Sequence, residues 1–145
     1  MAVTAYNYGA FAKNLLAGNI DIDADTIKVG LCTSSYTPDQ DADEFYDDIT
    51  NEVANGNGYT TGGETLGSKT NTQSQNVVTF DAADTTWSSS TITARYAFFY
   101  KDTGTPATSP LIAYVDFGED KSSENSEFKL TYNASGINVF TATDA

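Results

Sequence analysis

The sequence predicts a mainly β domain, a β-sandwich or jelly-roll-like architecture with one helix over residues 6–17 and the sandwich over about residues 26–145. Three observations lead there. Short apolar runs with period-two alternation recur from Ile27 to Phe140. Clusters of Gly, Asn, Asp and Pro punctuate them. Only one stretch repeats at helical spacing, so strands dominate. The chain of 145 residues fits one domain. Its size lets it bury about 68–70% of the unfolded surface without covalent staples.

The helix comes first. Tyr8, Phe11, Ala12, Leu15 and Leu16 share a helical face, and Gly18 supplies a stop. In the first strand, Ile27, Val29 and Leu31 alternate with Lys28 and Gly30. A short helical turn is expected between Asp39 and Asp48, anchored by Phe45, Tyr46 and Ile49 in a long loop. Asn55-Gly56-Asn57-Gly58 reads as a turn that needs positive φ. Glu64 to Gln75 is an edge strand or an ordered loop. Val77–Phe80, Thr91–Lys101, Leu111–Phe117, Phe128–Tyr132 and Ile137–Phe140 follow as strands. Turns are expected at Asp102–Pro106, at Gly118-Glu119-Asp120 and at Ser135-Gly136.

Composition narrows the function. The net charge is −13, from 20 acidic and 7 basic residues. Such a surface repels phosphate, which argues against nucleic acid as a partner. No apolar run has the length of a membrane span, and residues 1–6 lack the basic and apolar regions of a secretory signal, so synthesis in a cytoplasm is expected. Histidine is absent, which removes Ser-His-Asp and Cys-His catalysis and imidazole metal sites. Cys32 is the single cysteine and reads as a buried structural thiol.

The acidic run offers Asp39, Asp41 and Asp43 as weak calcium candidates. An EF-hand count from Asp39 puts Glu44 at the sixth position, where Gly is needed, and Thr50 at the twelfth, where Glu is needed. Capping aspartates in a solvated loop are the preferred reading, as they are for Asp21, Asp23 and Asp25. A glycosidase pair needs carboxylates on opposing walls of a cleft, which a local run does not supply. Trp87 is a capping aromatic of the core rim or a contact anchor. Arg95, the only arginine, needs a partner such as Asp116 or a subunit interface. Asn133-Ala134-Ser135 matches a glycosylation acceptor by chance. No cofactor and no catalytic residue is implied.

A string of short motifs resembles a group of small tailed-phage virion proteins. It comprises Ile27-Lys28-Val29-x-Leu31, Tyr36-Thr37-Pro38-Asp39-Gln40-Asp41, Asn51-Glu52-Val53, Gly58-Tyr59-Thr60-x-Gly62-Gly63-x-x-Leu66, Trp87, Thr91-x-x-Ala94-Arg95-Tyr96 and Ser109-Pro110-Leu111-Ile112-Ala113. Some members of that group look like capsid decoration, or cement, proteins. The likeness covers roughly Thr26 to Phe117, and the Ala42–Tyr46 segment is more acidic than the group. It implies a non-enzymatic β domain on the outer capsid surface, partnered by the major capsid protein and by itself as a homotrimer. Tail, neck or head-fibre component, carbohydrate-binding module and anti-defence inhibitor are the alternatives. Tyr6, Tyr8, Phe11, Tyr36, Phe45 and Trp87 are the expected contact anchors, with Arg95 beside them, because Tyr, Trp and Arg are favoured at interfaces.

Overall fold

The computed structural model describes residues 2–142. It is mainly β, with antiparallel sheets in a sandwich-like arrangement. The strands are β1 (Thr4–Asn7), β2 (Ile27–Cys32), β3 (Glu64–Thr65), β4 (Thr70–Ser74), β5 (Val77–Asp81), β6 (Thr85–Ser90), β7 (Thr93–Lys101), β8 (Leu111–Ser122), β9 (Ser126–Leu130) and β10 (Asn138–Thr141). One helix, α1, spans Gly9–Leu16, and short 3-10 turns occupy Tyr46–Asp48 and Pro106–Thr108. The principal sheet has the order β1-β8-β7-β2-β3. Smaller sheets run β10-β5-β4 and β6-β9.

Most expected elements are present, and three differ in an instructive way. The helix starts at Gly9, not at residue 6, because Tyr6 lies in β1 opposite Tyr114. Tyr8 is still extended and donates its N–H to the Ile112 carbonyl at 3.0 Å. The open edge of β8 thus captures residues that sequence spacing assigns to the helix. Gly118-Glu119-Asp120 is not a chain reversal. It lies inside β8, where the register jumps from Tyr96↔Asp116 to Ala94↔Lys121. Gly118 adopts φ 79 there, so the turn chemistry builds a bulge. Finally, Trp87 sits in a strand, β6, whose Ser-rich sequence hides its β character.

The principal sheet is covered on both faces. Ile27, Val29 and Leu31 of β2, Ala97 and Phe99 of β7, and Phe117 of β8 join Phe11, Trp87 and Phe128 in one buried cluster. Each Val, Leu, Ile or Phe among them contributes about 1.5–3 kcal/mol by leaving water. Cys32, Phe98, Tyr100 and Leu111 join Tyr8 and Tyr36 in a second cluster, with Tyr46, Tyr96 and Tyr114 packed against it. The segment that covers this second face is the excursion between β2 and β3.

Two glycines allow the close approach. The Phe98 ring lies over Gly30, where any Cβ would collide with it. Gly63, at φ 72, brings the end of the excursion onto β2, and a Cβ there would overlap the Val29 carbonyl.

Candidate functional site

The candidate site is the excursion over residues 33–63. It begins beside the end of β2, where Thr33 N–H donates to the Asn51 carbonyl and Val53 N–H to the Leu31 carbonyl. These bonds place Glu52 next to Cys32 as an extra bridge on the sheet. The Glu52 carboxylate then collects three donors at 2.7 Å: the Tyr46 hydroxyl, the Tyr59 hydroxyl and the Gly62 N–H. The Tyr59 hydroxyl also accepts from Leu31 N–H at 3.0 Å, and its ring stacks near Trp87. Tyr100 donates to the Gly62 carbonyl at 2.7 Å. The Tyr46 ring stacks on Tyr100 with centroids 4.6 Å apart.

A second tether holds the acidic run. The hydroxyls of Tyr8 and Tyr36 bond at 2.9 Å, and Tyr36 donates to Asp43 Oδ2 at 2.7 Å. The same Asp43 oxygen accepts from Asp39 N–H. Asp39 Oδ1 accepts from the N–H groups of Asp41 and Ala42, and Asp43 N–H closes onto the Asp39 carbonyl at 2.9 Å. Two calcium candidates, Asp39 and Asp43, therefore cap their own turn.

The same five-residue unit occurs at Asp21-Ile22-Asp23-Ala24-Asp25. Asp21 Oδ1 accepts from Asp23 and Ala24 N–H, Asp25 Oδ2 accepts from Asp21 N–H, and Asp25 N–H reaches the Asp21 carbonyl. Its surroundings differ. The Lys69 ammonium donates to the carbonyls of Ile22, Asp23 and Asp25, and Lys101 pairs with the Asp25 carboxylate at 2.9 Å. Among the described residues, no three His, Cys, Asp or Glu side chains converge as metal ligands.

The electrostatics favour holding over reacting. Burial drives the phenols of Tyr8, Tyr36, Tyr46, Tyr59 and Tyr100 well above their ordinary range, and it does the same to the Cys32 thiol. A group pushed that way is a poor base or nucleophile near neutral pH. Asp39, Asp41, Asp47 and Asp48 are exposed; Asp39 Oδ1 and Asp48 Oδ2 accept backbone N–H groups of their own turns, while the carboxylates of Asp41 and Asp47 stand outside these bonds.

The structure separates the expected contact residues. Tyr8, Phe11, Tyr36 and Trp87 are buried inside one chain, so their side chains serve its core and are not available as anchors. For Trp87 this is the core reading; its ring stacks near Tyr59 and meets Phe128 edge-on. Tyr6 is exposed and Phe45 half-buried. Arg95 meets Asp116 as expected, with Nε 2.7 Å from Oδ1, and its guanidinium holds that carboxyl below the usual range. Sequence reasoning missed the role of Glu52, which stands in a motif but carries no local signal of its three donors. No protein-family model matches the chain, and neither a curated protein nor a solved structure is significantly similar to it.

Proposed function

We propose that this protein is a non-enzymatic virion component, a decoration protein that seats on the outer face of a phage capsid between capsomers and stabilises the mature shell. One observation carries the reading: the exposed carboxylates of Asp39, Asp41 and Asp47 stand on an excursion pinned by buried phenols. Such a surface is pre-organised, so contact orders few side chains. Its charge suits a basic patch on the major capsid protein. The motif string from Thr26 to Phe117 supports the same class.

The mechanism is linkage. A protein that binds only the expanded shell stabilises that state by mass action. A homotrimer at a local three-fold position adds avidity to weak single contacts. The protein is made in the host cytoplasm and ends on the outer capsid surface, and it needs no cofactor. Purified protein is expected to bind expanded shells and to ignore immature ones. Equal binding to both, or none, refutes the proposal. Copy number in the particle separates positions: hundreds of copies place it on the shell, a dozen or fewer on the neck or tail.

A further inference from the structure

The tyrosines of this chain are not equally reachable. Tyr6 is the one with an exposed side chain, at 44%. Tyr46, Tyr96, Tyr114 and Tyr132 are half-buried, and Tyr8, Tyr36, Tyr59 and Tyr100 are buried. Most of the phenols are also tied. The hydroxyls of Tyr8, Tyr36, Tyr46, Tyr59, Tyr100 and Tyr132 each have a hydrogen-bond partner, whereas those of Tyr6, Tyr96 and Tyr114 have none among the described residues. Arg95 lies over the Tyr96 ring at 5.6 Å. A cation there is held by the π electrons and makes that ring harder to oxidise.

Tyr6 and Tyr114 are left, and the fold places them together. β1 and β8 run antiparallel with Tyr6 directly opposite Tyr114. Side chains paired in this way share one face of the sheet, with Cβ atoms about 4.5–5.5 Å apart. The two rings stack, with centroids 5.3 Å apart and planes at 29°. The Tyr114 ring also meets Tyr8, at 5.2 Å, which steadies it. Tyr6, exposed on the outermost strand, has room to turn its ring edge toward Tyr114. Tyr46 and Tyr100 stack more closely, at 4.6 Å, but Tyr100 is buried and both hydroxyls are bonded.

We propose that Tyr6 and Tyr114 form a dityrosine site: a peroxide-driven one-electron oxidant couples the two rings and fastens β1 to β8. Each phenol gives up one electron and its hydroxyl proton. The two phenoxyl radicals then form a Cε–Cε bond. The hydrogen on each bonded carbon moves to an oxygen and restores both phenols. One hydrogen peroxide takes the two electrons and two protons and leaves as two waters. Tyr6 meets the oxidant first, and stacking passes the hole to Tyr114 before Tyr6 is oxidised again.

The link suits this chain. Its single cysteine permits no internal disulfide. β1 is a four-residue edge strand whose residues are all exposed. A bond from Tyr6 to Tyr114 closes a long loop and restricts the unfolded chain as a disulfide does. Copies at −13 repel one another, so coupling within a chain outruns coupling between chains. The assignment goes beyond the particle reading and does not depend on it.

Oxidation of the folded full chain with hydrogen peroxide and a peroxidase tests it. The expected product is a monomer, lighter by two hydrogen atoms, with dityrosine fluorescence and one linked peptide pair that joins Tyr6 to Tyr114. Its urea midpoint is expected to lie above that of untreated protein. Tyr6→Phe and Tyr114→Phe, each with unchanged circular dichroism, are expected to abolish the product. No dityrosine overturns the proposal. So does dityrosine that persists in both folded variants, a link found only between chains, or a linked chain whose urea midpoint does not rise. The same mixture of links from protein oxidised in urea also overturns it, because the fold would then not select the pair.

Discussion

The two faces of the principal sheet are buried by different chemistry. On one face the cluster around Val29, Leu31 and Phe99 includes a single tyrosine, Tyr59, among its buried members. On the other, Tyr8, Tyr36 and Tyr100 are buried members, and Tyr46, Tyr96 and Tyr114 pack against them. The apolar face is held by area removed from water, which has no direction and tolerates repacking. The tyrosine face adds directed bonds, so it fixes where the excursion lies as well as that it lies there.

High pH separates the two faces most strongly. Burial raises Tyr8, Tyr36 and Tyr100 on the tyrosine face, against Tyr59 alone on the apolar face, above the ordinary value of 10.0. In the unfolded chain these phenols ionise near pH 10, while in the folded chain they stay neutral. Their contribution is therefore complete below pH 10 and is lost as pH rises above it, at about 1.4 kcal/mol per pH unit for each group. The protein is expected to unfold cooperatively between pH 10 and 12, with tyrosinate absorbance rising together with the loss of circular dichroism. Tyrosinate from these groups appearing before unfolding contradicts the burial of the network.

Next in size is Glu52→Ala. It strands the Tyr46 and Tyr59 hydroxyls and the Gly62 N–H together, and about 3–5 kcal/mol is expected to be lost in urea unfolding. Glu52→Gln keeps the shape and some of the bonds, so it loses less. Leu31→Ala on the apolar face costs about 2–5 kcal/mol. The two differ in kind: Glu52→Ala is expected to loosen hydrogen-exchange protection across residues 33–63, and Leu31→Ala to lower it throughout the sheet.

Tyr36→Phe is a smaller break. It removes the hydroxyl between Tyr8 and Asp43, and about 1–2 kcal/mol is expected to go. Acid has the mildest effect. Burial works against ionisation of Asp25, but the Asp21 N–H and Lys101 outweigh it and hold this carboxyl below its ordinary value of 3.8. Asp116 is held down by Arg95. Both contributions are present above pH 4 and fade as pH falls through the depressed values. A shallow acid limb in thermal unfolding, reduced by Arg95→Ala, is the expected result.

How much of this could be read beforehand depends on the range of the interaction. Strand periods in β2, β7 and β8 were plain, because alternation is a property of neighbouring residues. The positive φ at Gly56, Asn57 and Gly58 followed from their residue types. The pairing of Arg95 with Asp116 was visible because a lone arginine in an apolar strand needs an acid. The burial of Tyr8, Phe11 and Tyr36 was not, since an aromatic on a short element suits a core and an interface equally well. Glu52 looked like any loop glutamate.

The two D-x-D-A-D turns make the division concrete. Each folds onto itself with the same bonds, because an aspartate side chain reaches N–H groups two and three residues on whatever surrounds it. Sequence alone therefore settles these two turns, the strand periods of β2, β7 and β8, the absence of histidine and the acidic balance. Which partner meets each turn, lysines around Asp25 and a tyrosine at Asp43, is settled by chain segments that approach from far along the sequence. So are the capture of Tyr6 by the edge of β8 and the three donors on Glu52. Local bonds are fixed by residue type and spacing, whereas burial and charge pairing depend on which distant surfaces fold together.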